Sequence, residues 1–295
     1  MQVLEKERKK SATFVICGIF GFVIGILMVI FANLSDSPII VLMIFGAIIF
    51  VASIVFVVIG NIKFRKISRE FKANYLTEMI KTSYPGCAYE MNRGITQSFA
   101  GQTRIVPMGD RFRSEDLISG QVGDVNFLTC DCHSEEMHIY TDSKGNTHTE
   151  WVTIFLGRFF EFDFNKDFKG TTIGTESKLY INLSGLQKRE LESEAFNKKF
   201  KVYTDDDETA FYIITPQIEE RFMKLEETYK GRCSFCFTQN HFFFTINNNV
   251  DTFELRLFKK IDNNLVDSYM KDIELMKTVI EELKLNLKIY KNNIE

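Results

Sequence analysis

Residues 203–211, "YTDDDETAF", place four acids in a row, Asp205, Asp206, Asp207 and Glu208, between aromatic stretches. Carboxylates are hard oxygen donors of the kind that hold Ca²⁺ or Mg²⁺. A calcium-binding EF-hand, however, spaces its acids as D-x-D-x-D-G and closes with a glutamate at the twelfth position, and neither feature is here. The flanking segments "FKVYT" and "TAFYIIT" both read as strands, so the acids fall where two strands must reverse, a place where Asp is common. Adjacent carboxylates in a turn point apart. The acids therefore read as a solvated turn, not a metal site.

The six cysteines raise a second metal question, because "CDCH" at 130–133 and "CSFC" at 233–236 have the composition of zinc ligands. Their setting argues otherwise. In an extended strand Cys233 and Cys236 project to opposite faces, whereas a zinc Cys-x-x-Cys needs a tight turn. Cys130 and Cys132 share a face, roughly 6.6 Å apart along a strand, which makes a poor chelate, and His133 points away. These thiols are expected to be free and partly buried. Four histidines, His133, His138, His148 and His241, are potential general bases, and His148 lies near Glu150 and Trp151 on one hairpin. No G-x-S-x-G, Walker loop, H-E-x-x-H or dinucleotide fingerprint accompanies them. No catalytic residue, cofactor site or metal site is assigned, and an enzymatic site would have to be assembled from dispersed polar groups such as His138, His148, Glu150 and Trp151.

The elements that would position such groups begin with two apolar rods. Residues 11–35 and 37–62 contain no charge, and each is long enough at 1.5 Å per residue to cross a hydrocarbon core about 30 Å thick. Lys6, Arg8, Lys9 and Lys10 precede the first; Lys63, Arg65, Lys66 and Arg69 follow the second; the intervening loop, 33–37, carries only Asp36. By the positive-inside rule both termini are expected in the cytoplasm, with the loop outside. Gly18, Gly21 and Gly25 suit close helix packing, either against the second rod near Gly46, Ala47 and Ala52 or between chains. The basic residues Lys63, Arg65, Lys66, Arg69 and Lys72 are candidates for contact with anionic lipid head groups, beside their role in setting topology.

Phe64, Ile67, Phe71, Tyr75, Leu76, Met79 and Ile80 recur at helical spacing, so the second rod is expected to continue as an amphipathic helix over 63–83 until Pro85 and Gly86 stop it. From 94 to 177 the pattern becomes alternating aromatic and β-branched runs, which is an antiparallel sheet. A hairpin is expected around Gly145, and "GRFFEFDF" at 157–164 reads as a strand with Phe160, Phe162 and Phe164 opposite Phe159, Glu161 and Asp163. "FNKDFKG" reads as a turn. Thr215, Pro216 and Gly231 bracket a helix with Ile218, Phe222, Leu225 and Tyr229 on its buried side. A strand pair turning near Gln239 and Asn240 should follow. The chain then ends in a long helix whose Val266, Tyr269, Ile273, Met276, Ile280, Leu283, Leu287 and Tyr290 keep a 3-4 spacing, suited to intramolecular packing or to a homodimer seam.

Residues 70–295 hold 28 Lys and Arg against 36 Asp and Glu, a balance of −8. An acidic domain repels phosphate backbones, so nucleic acid is not an expected partner. The expected partners are membrane lipids, a cytosolic protein or small ligand, and a second copy through the apolar helices or the C-terminal helix.

"SEDLISG" at 114–120, "GRFFEFDF" at 157–164, "LESEAFNKKFKVYTDDDETAFYIITPQ" at 191–217 and "FELRLFKKID" at 253–262 resemble, in that order, a bacterial family of two-span membrane proteins known as domain-of-unknown-function family 3137. The resemblance covers 70–290 and the two spans, with Phe196, Phe200, Val202 and Tyr203 as a packing signature. It implies a bacterial cell-membrane protein and no reaction. The expected architecture is α+β: a cytosolic basic N-terminus (1–10), a two-helix transmembrane hairpin (11–62), a juxtamembrane helix (63–83) and a cytosolic antiparallel-sheet domain with a long C-terminal helix (84–295). Its expected role is a membrane-anchored interaction or sensing module.

Overall fold

A computed structural model of the protein describes residues 1–34, 39–176, 181–229 and 231–283, with side chains throughout except at 164–168. The chain divides into two compact units, Met1–Glu78 with Glu254–Tyr269, and Met79–Phe253 with the chain from Met270 onward.

In the first unit, helices α1 (Gln2–Leu34) and α2 (Ile40–Glu70) pack side by side in opposite directions. Their buried small residues recur every seven positions: Ser11, Gly18, Gly25 and Ala32 on α1, Gly46, Ser53 and Gly60 on α2. Seven is the period that keeps one stripe of a helix against a partner. A Cβ added at Gly25 would sit 2.9 Å from the Gly46 carbonyl oxygen, and one added at Gly60 2.9 Å from that of Ser11. The helices thus touch backbone to backbone, which only small residues permit. The glycines of α1 are spent within the chain.

The large side chains point the other way. Phe20, Leu27, Phe31, Ile40, Ile48 and Val51 are among a long series of exposed apolar residues on these helices. Beyond Glu70 the helix continues, as its spacing predicts, through a π-helical turn (Phe71–Leu76) into α3 (Thr77–Ser83), and Gly86 follows at φ +95°. At the end of the π turn both the amide and the hydroxyl of Thr77 reach back to the Lys72 carbonyl, the hydroxyl at 3.1 Å. Phe71 is fully buried, edge-on to Tyr269 at 5.9 Å.

The second unit is built on a seven-stranded antiparallel sheet ordered β1-β2-β3-β4-β6-β5, with β7 also paired to β4. Its strands are β1 (Ala88–Glu90), β2 (Arg111–Val122), β3 (Val125–Thr141), β4 (Thr147–Thr175), β5 (Gln187–Arg189), β6 (Lys201–Thr204) and β7 (Arg232–Asn247). The hairpin expected around Gly145 joins β3 to β4, with Thr141 opposite Thr147. Asp142 closes its turn, accepting from the Lys144 and Asn146 amides at 2.9 Å each.

Apolar residues fill both faces of the sheet. On one, Phe159 and Phe243 meet Phe99 of α4 (Gln97–Thr103), and Cys130, Cys132 and Cys236 belong to the same cluster. On the other, Phe222 of α7 (Pro216–Thr228) stacks on Phe235 at 4.1 Å and lies within 6.5 Å of Phe200, Phe242 and Phe244. Gly174 makes room for this layer, since a Cβ there would overlap the Phe235 ring. Phe196, Phe200, Val202 and Tyr203, the expected packing signature, are all buried.

Three local expectations are corrected. "TAFYIIT" is not a strand: Asp207–Ile213 forms helix α6, following α5 (Glu194–Lys199), because acids in a first turn are favoured by the helix dipole. "FNKDFKG" is not a turn, and Gln239 and Asn240 do not reverse the chain. β4 and β7 run past both points as single paired strands, absorbing the irregularity as register shifts after Asp163, with Gln239 at φ +52°. Polar and glycine residues that mark a turn also mark a β-bulge, and pairing decides between them. Helix α7 starts at Pro216, directly after Thr215, as expected, although Thr215 makes no side-chain cap. In the last helix, α8 (Asn263–Glu282), Tyr269, Ile273, Met276 and Ile280 are buried, joined by Leu265 and Val279, while Val266 is half-buried; Leu283, just past its end, is buried too. Leu287 and Tyr290 lie outside the described residues, as do 35–37 of the expected loop.

Candidate functional site

Two polar constellations stand out, one in each unit. In the first unit, Gly60 of α2 sits on Ser11 of α1, so the cations that flank the apolar stretches lie alongside one another. Lys6, Lys9 and Lys10 of α1 and Lys63, Arg65, Lys66 and Arg69 of α2 are exposed. Some have surface partners, Lys10 with Glu7 at 2.6 Å and Lys66 with Glu70 at 3.9 Å, pairs of a kind that add little stability. Lys72 is set apart from the other basic residues at the end of α2. It lies in the π turn, 3% exposed and ion-paired with Glu254.

Glu254 opens a strap, Glu254–Tyr269, that belongs to this unit. Arg8, also buried, clasps Glu5 through Nε and Nη2 at 2.8 Å and donates from Nη1 to the Leu257 carbonyl at 2.5 Å. Glu5 in turn accepts from the Ile261 amide at 2.9 Å. The Arg8 guanidinium, helped by that amide, holds the Glu5 carboxyl down to about 2. Hydrogen bonds from Arg8 to Leu257 and from Ile261 to Glu5, with the Lys72–Glu254 ion pair, thus tie the strap to the helices.

In the second unit, β2, β3 and β4 bring buried charges together on one face. Asp131 and Arg158 are register partners, 3% and 4% exposed, with Arg158 Nε 3.7 Å from Asp131 Oδ1 and 3.1 Å from Thr129 Oγ1. Thr252 donates to Asp131 from its amide at 2.9 Å and from its hydroxyl at 3.1 Å. Asp116 sits in a bulge of β2 at φ +59° and accepts from the Tyr89 hydroxyl. The Arg158 guanidinium lies 4.5 Å from the Phe253 ring, and its Nη1 and Nη2 are buried without a hydrogen-bond partner.

Carboxylate oxygens of Asp116, Asp131 and Asp251 lie within 4.8 Å of one another. That spacing suits a divalent ion, but Arg158 already supplies a cation beside Asp131, and Thr252 occupies both Asp131 oxygens. The residues fit an internal charge network better than a metal. Burial pushes the Asp131 carboxyl up against the opposing pull of Arg158, and burial likewise pushes Asp272 of α8 up to about 6. Beside this network opens a cavity of about 280 Å³ lined by Arg113, Glu115, Asp131, His133 and Asp251 among others. His133 is held by Arg113 Nε at 3.0 Å and Thr153 at 3.0 Å, and burial with the neighbouring Arg113 lowers its basicity.

The other expected chemistry-bearing residues do not converge. His138 meets Glu136 and His148 meets Asp142, each at 3.0 Å, along an exposed ribbon. Glu150 is opposite His138, but Trp151 pairs with Met137 one position on and so takes the other face, under Arg111 at 3.3 Å. Cys233 and Cys236 lie on β7 as expected, and Cys130 Sγ is 3.7 Å from Cys132 Sγ within the core. Burial pushes the Cys132 and Cys233 thiols up, and that of Cys236 up to about 12. Such thiols are inert at neutral pH. Of the four acids, Asp205 accepts from the Thr171 amide at 2.6 Å, Asp206 from the Thr209 hydroxyl, and Asp207 pairs with Arg189 at 2.7 Å. These three serve three different contacts.

The sequence reading passed over the Asp131–Arg158 network. The signal was present: one charge stands between two cysteines in "CDC", and one cation precedes "FFEFDF", in strands otherwise apolar.

An α+β domain on an antiparallel sheet, accompanied by two long apolar helices, is the class of protein this structure defines. Within it, residues 153–285 match the family described as "Protein of unknown function (DUF3137)", which bears out the resemblance over that stretch. "GRFFEFDF", the acidic segment and "FELRLFKKID" fall inside the match, and "SEDLISG" lies before it. Among solved structures, the crystal structure of the mycobacterial trehalose monomycolate transport factor A, TtfA, is similar over 72% of this chain and 96% of its own, at 9% identity and a TM-score of 0.40. A likeness of that degree carries no argument about function. No curated protein matches the chain.

Proposed function

We propose that this protein is a membrane-anchored module: α1 and α2 cross a bacterial cell membrane as a hairpin, both termini lie in the cytoplasm, and the sheet domain works there as an interaction or sensing unit. One observation carries the reading. In the most apolar 18-residue stretch of each helix only 17% and 11% of residues are buried, so the large side chains face outward and have no core to enter. A helix of a water-soluble core buries such residues; lipid is the environment that suits them. The flanking cations support the orientation, and Lys63, Arg65, Lys66 and Arg69 suit anionic head groups. The tight fit of the small-residue stripes supports pairing of the two helices within one chain.

Two fusions test it together. A reporter after Glu295 is expected to be active only in the cytoplasm, and one inserted at Asp36 only outside. The protein should also stay in the membrane pellet after alkaline carbonate washing. Release into the supernatant overturns the anchor, and an external C-terminal reporter overturns the orientation.

A further inference from the structure

The strap of the first unit carries an exposed group that the fold does not use. Arg256, Phe258, Lys259 and Lys260 are all exposed, and Phe258, at 65%, is more exposed than any other described phenylalanine outside α1 and α2. The Lys259 amide donates to the Arg256 carbonyl at 3.0 Å, closing a turn with Leu257 and Phe258 at its tip. The turn is held to α1 at a known level: the Leu257 carbonyl accepts from Arg8, three residues before the uncharged stretch begins, and the Ile261 amide reaches Glu5, one turn further out. Phe258 therefore lies at the end of the strap nearer the apolar stretch, with three cations beside it and Lys6, Lys9 and Lys10 on the same helix.

We propose that this turn is a second membrane contact, in which Phe258 enters the interfacial layer while Arg256, Lys259 and Lys260 bind the phosphates of anionic phospholipids. The proposal rests on the reading of α1 and α2 as membrane-crossing. Its partner is set by charge and position. An aromatic ring amid cations, within about 5 Å of the apolar boundary at 1.5 Å of rise per residue, matches an apolar layer roofed by negative charge. The Arg8–Leu257 and Ile261–Glu5 hydrogen bonds and the Lys72–Glu254 ion pair keep the strap in place, so the turn is presented to the bilayer already ordered.

The full chain, carrying Trp151→Phe and Phe258→Trp so that its single tryptophan reports on the turn, is reconstituted into nanodiscs of phosphatidylcholine alone or with phosphatidylglycerol. The tail-brominated form of the lipid serves as quencher. Quenching and a blue-shifted emission that grow with phosphatidylglycerol content, and that are lost when Lys259→Glu and Lys260→Glu are added, are the expected result. Water-like emission in both lipids overturns the turn contact while leaving the anchor intact, because incorporation into the discs is scored separately by gel filtration. Equal quenching in both lipids overturns the role of anionic lipid. Failure to enter the discs at all overturns the anchor, and the turn contact with it.

Discussion

Asp272 of α8 feels the charges of Arg158 and Asp131, and burial raises its carboxyl to about 6. An acid whose pKa is higher in the folded state binds protons better when folded. Stability therefore falls as pH rises from about 4, the unfolded value, through about 6. The expected penalty at pH 7 is about 1–3 kcal/mol. Asp272→Asn should remove that slope and raise the melting temperature at pH 7 above wild type, which thermal melts of the detergent-solubilised protein between pH 4 and 7.5 will measure. An unchanged slope would show that other groups set it. Arg158 behaves oppositely. Arg158→Met leaves Asp131 buried without its cation and should cost about 3–5 kcal/mol, read as a lowered denaturation midpoint. The double change with Asp131→Asn should cost less than the sum of the two singles, since each removes the other's burden. These residues escaped the sequence reading because nothing local distinguishes a buried charge from a surface one; strand pairing brings Asp131 and Arg158 opposite each other.

At the scale of elements, the seven-residue recurrence of small residues decides how α1 and α2 meet. Gly46→Ile places a side chain where a Cβ alone would already lie 3.0 Å from the Gly25 carbonyl oxygen. It should push the helices apart and cost about 1–3 kcal/mol, whereas Ala47→Ile, on the exposed side, should be neutral. Spin labels on the two helices, with distances measured in nanodiscs, will separate the cases: an unchanged distance in Gly46→Ile contradicts the packing. The sequence reading found Gly18, Gly21 and Gly25 but left open whether they serve this hairpin or a dimer. The answer needed the matching stripe on α2, which is only meaningful once the two helices are placed antiparallel. The long strands β4 and β7 teach a related lesson. Asn, Asp, Lys and Gly between them look like a turn, and Gln239–Asn240 looks like a reversal, yet two irregular strands that pair with each other can share their irregularities as bulges.

For the whole molecule, the charge at the ends of the apolar helices governs orientation in the proposed membrane-anchored reading. Replacing Lys63, Arg65, Lys66 and Arg69 with Glu leaves the cations of the N-terminus to hold one end alone. A C-terminal reporter is then expected to divide between the two sides of the membrane, where the unaltered chain gives one. A wholly cytoplasmic reporter in that variant would show that Lys6, Arg8, Lys9 and Lys10 suffice. What the amino-acid order determined by itself was composition and period: two uncharged stretches, the helical continuation of the second, alternating strands, and a helix with an apolar seam. Each follows from local spacing against a 3.6- or 2-residue repeat, so no partner need be known. Tertiary structure alone decided that the glycines of α1 pack against α2, that Lys72 turns inward to Glu254, that the acidic run begins a helix, and that Asp116, Asp131 and Arg158 share one buried site. Those outcomes depend on residues far apart in the chain meeting at one point, and spacing along the chain carries no record of that meeting.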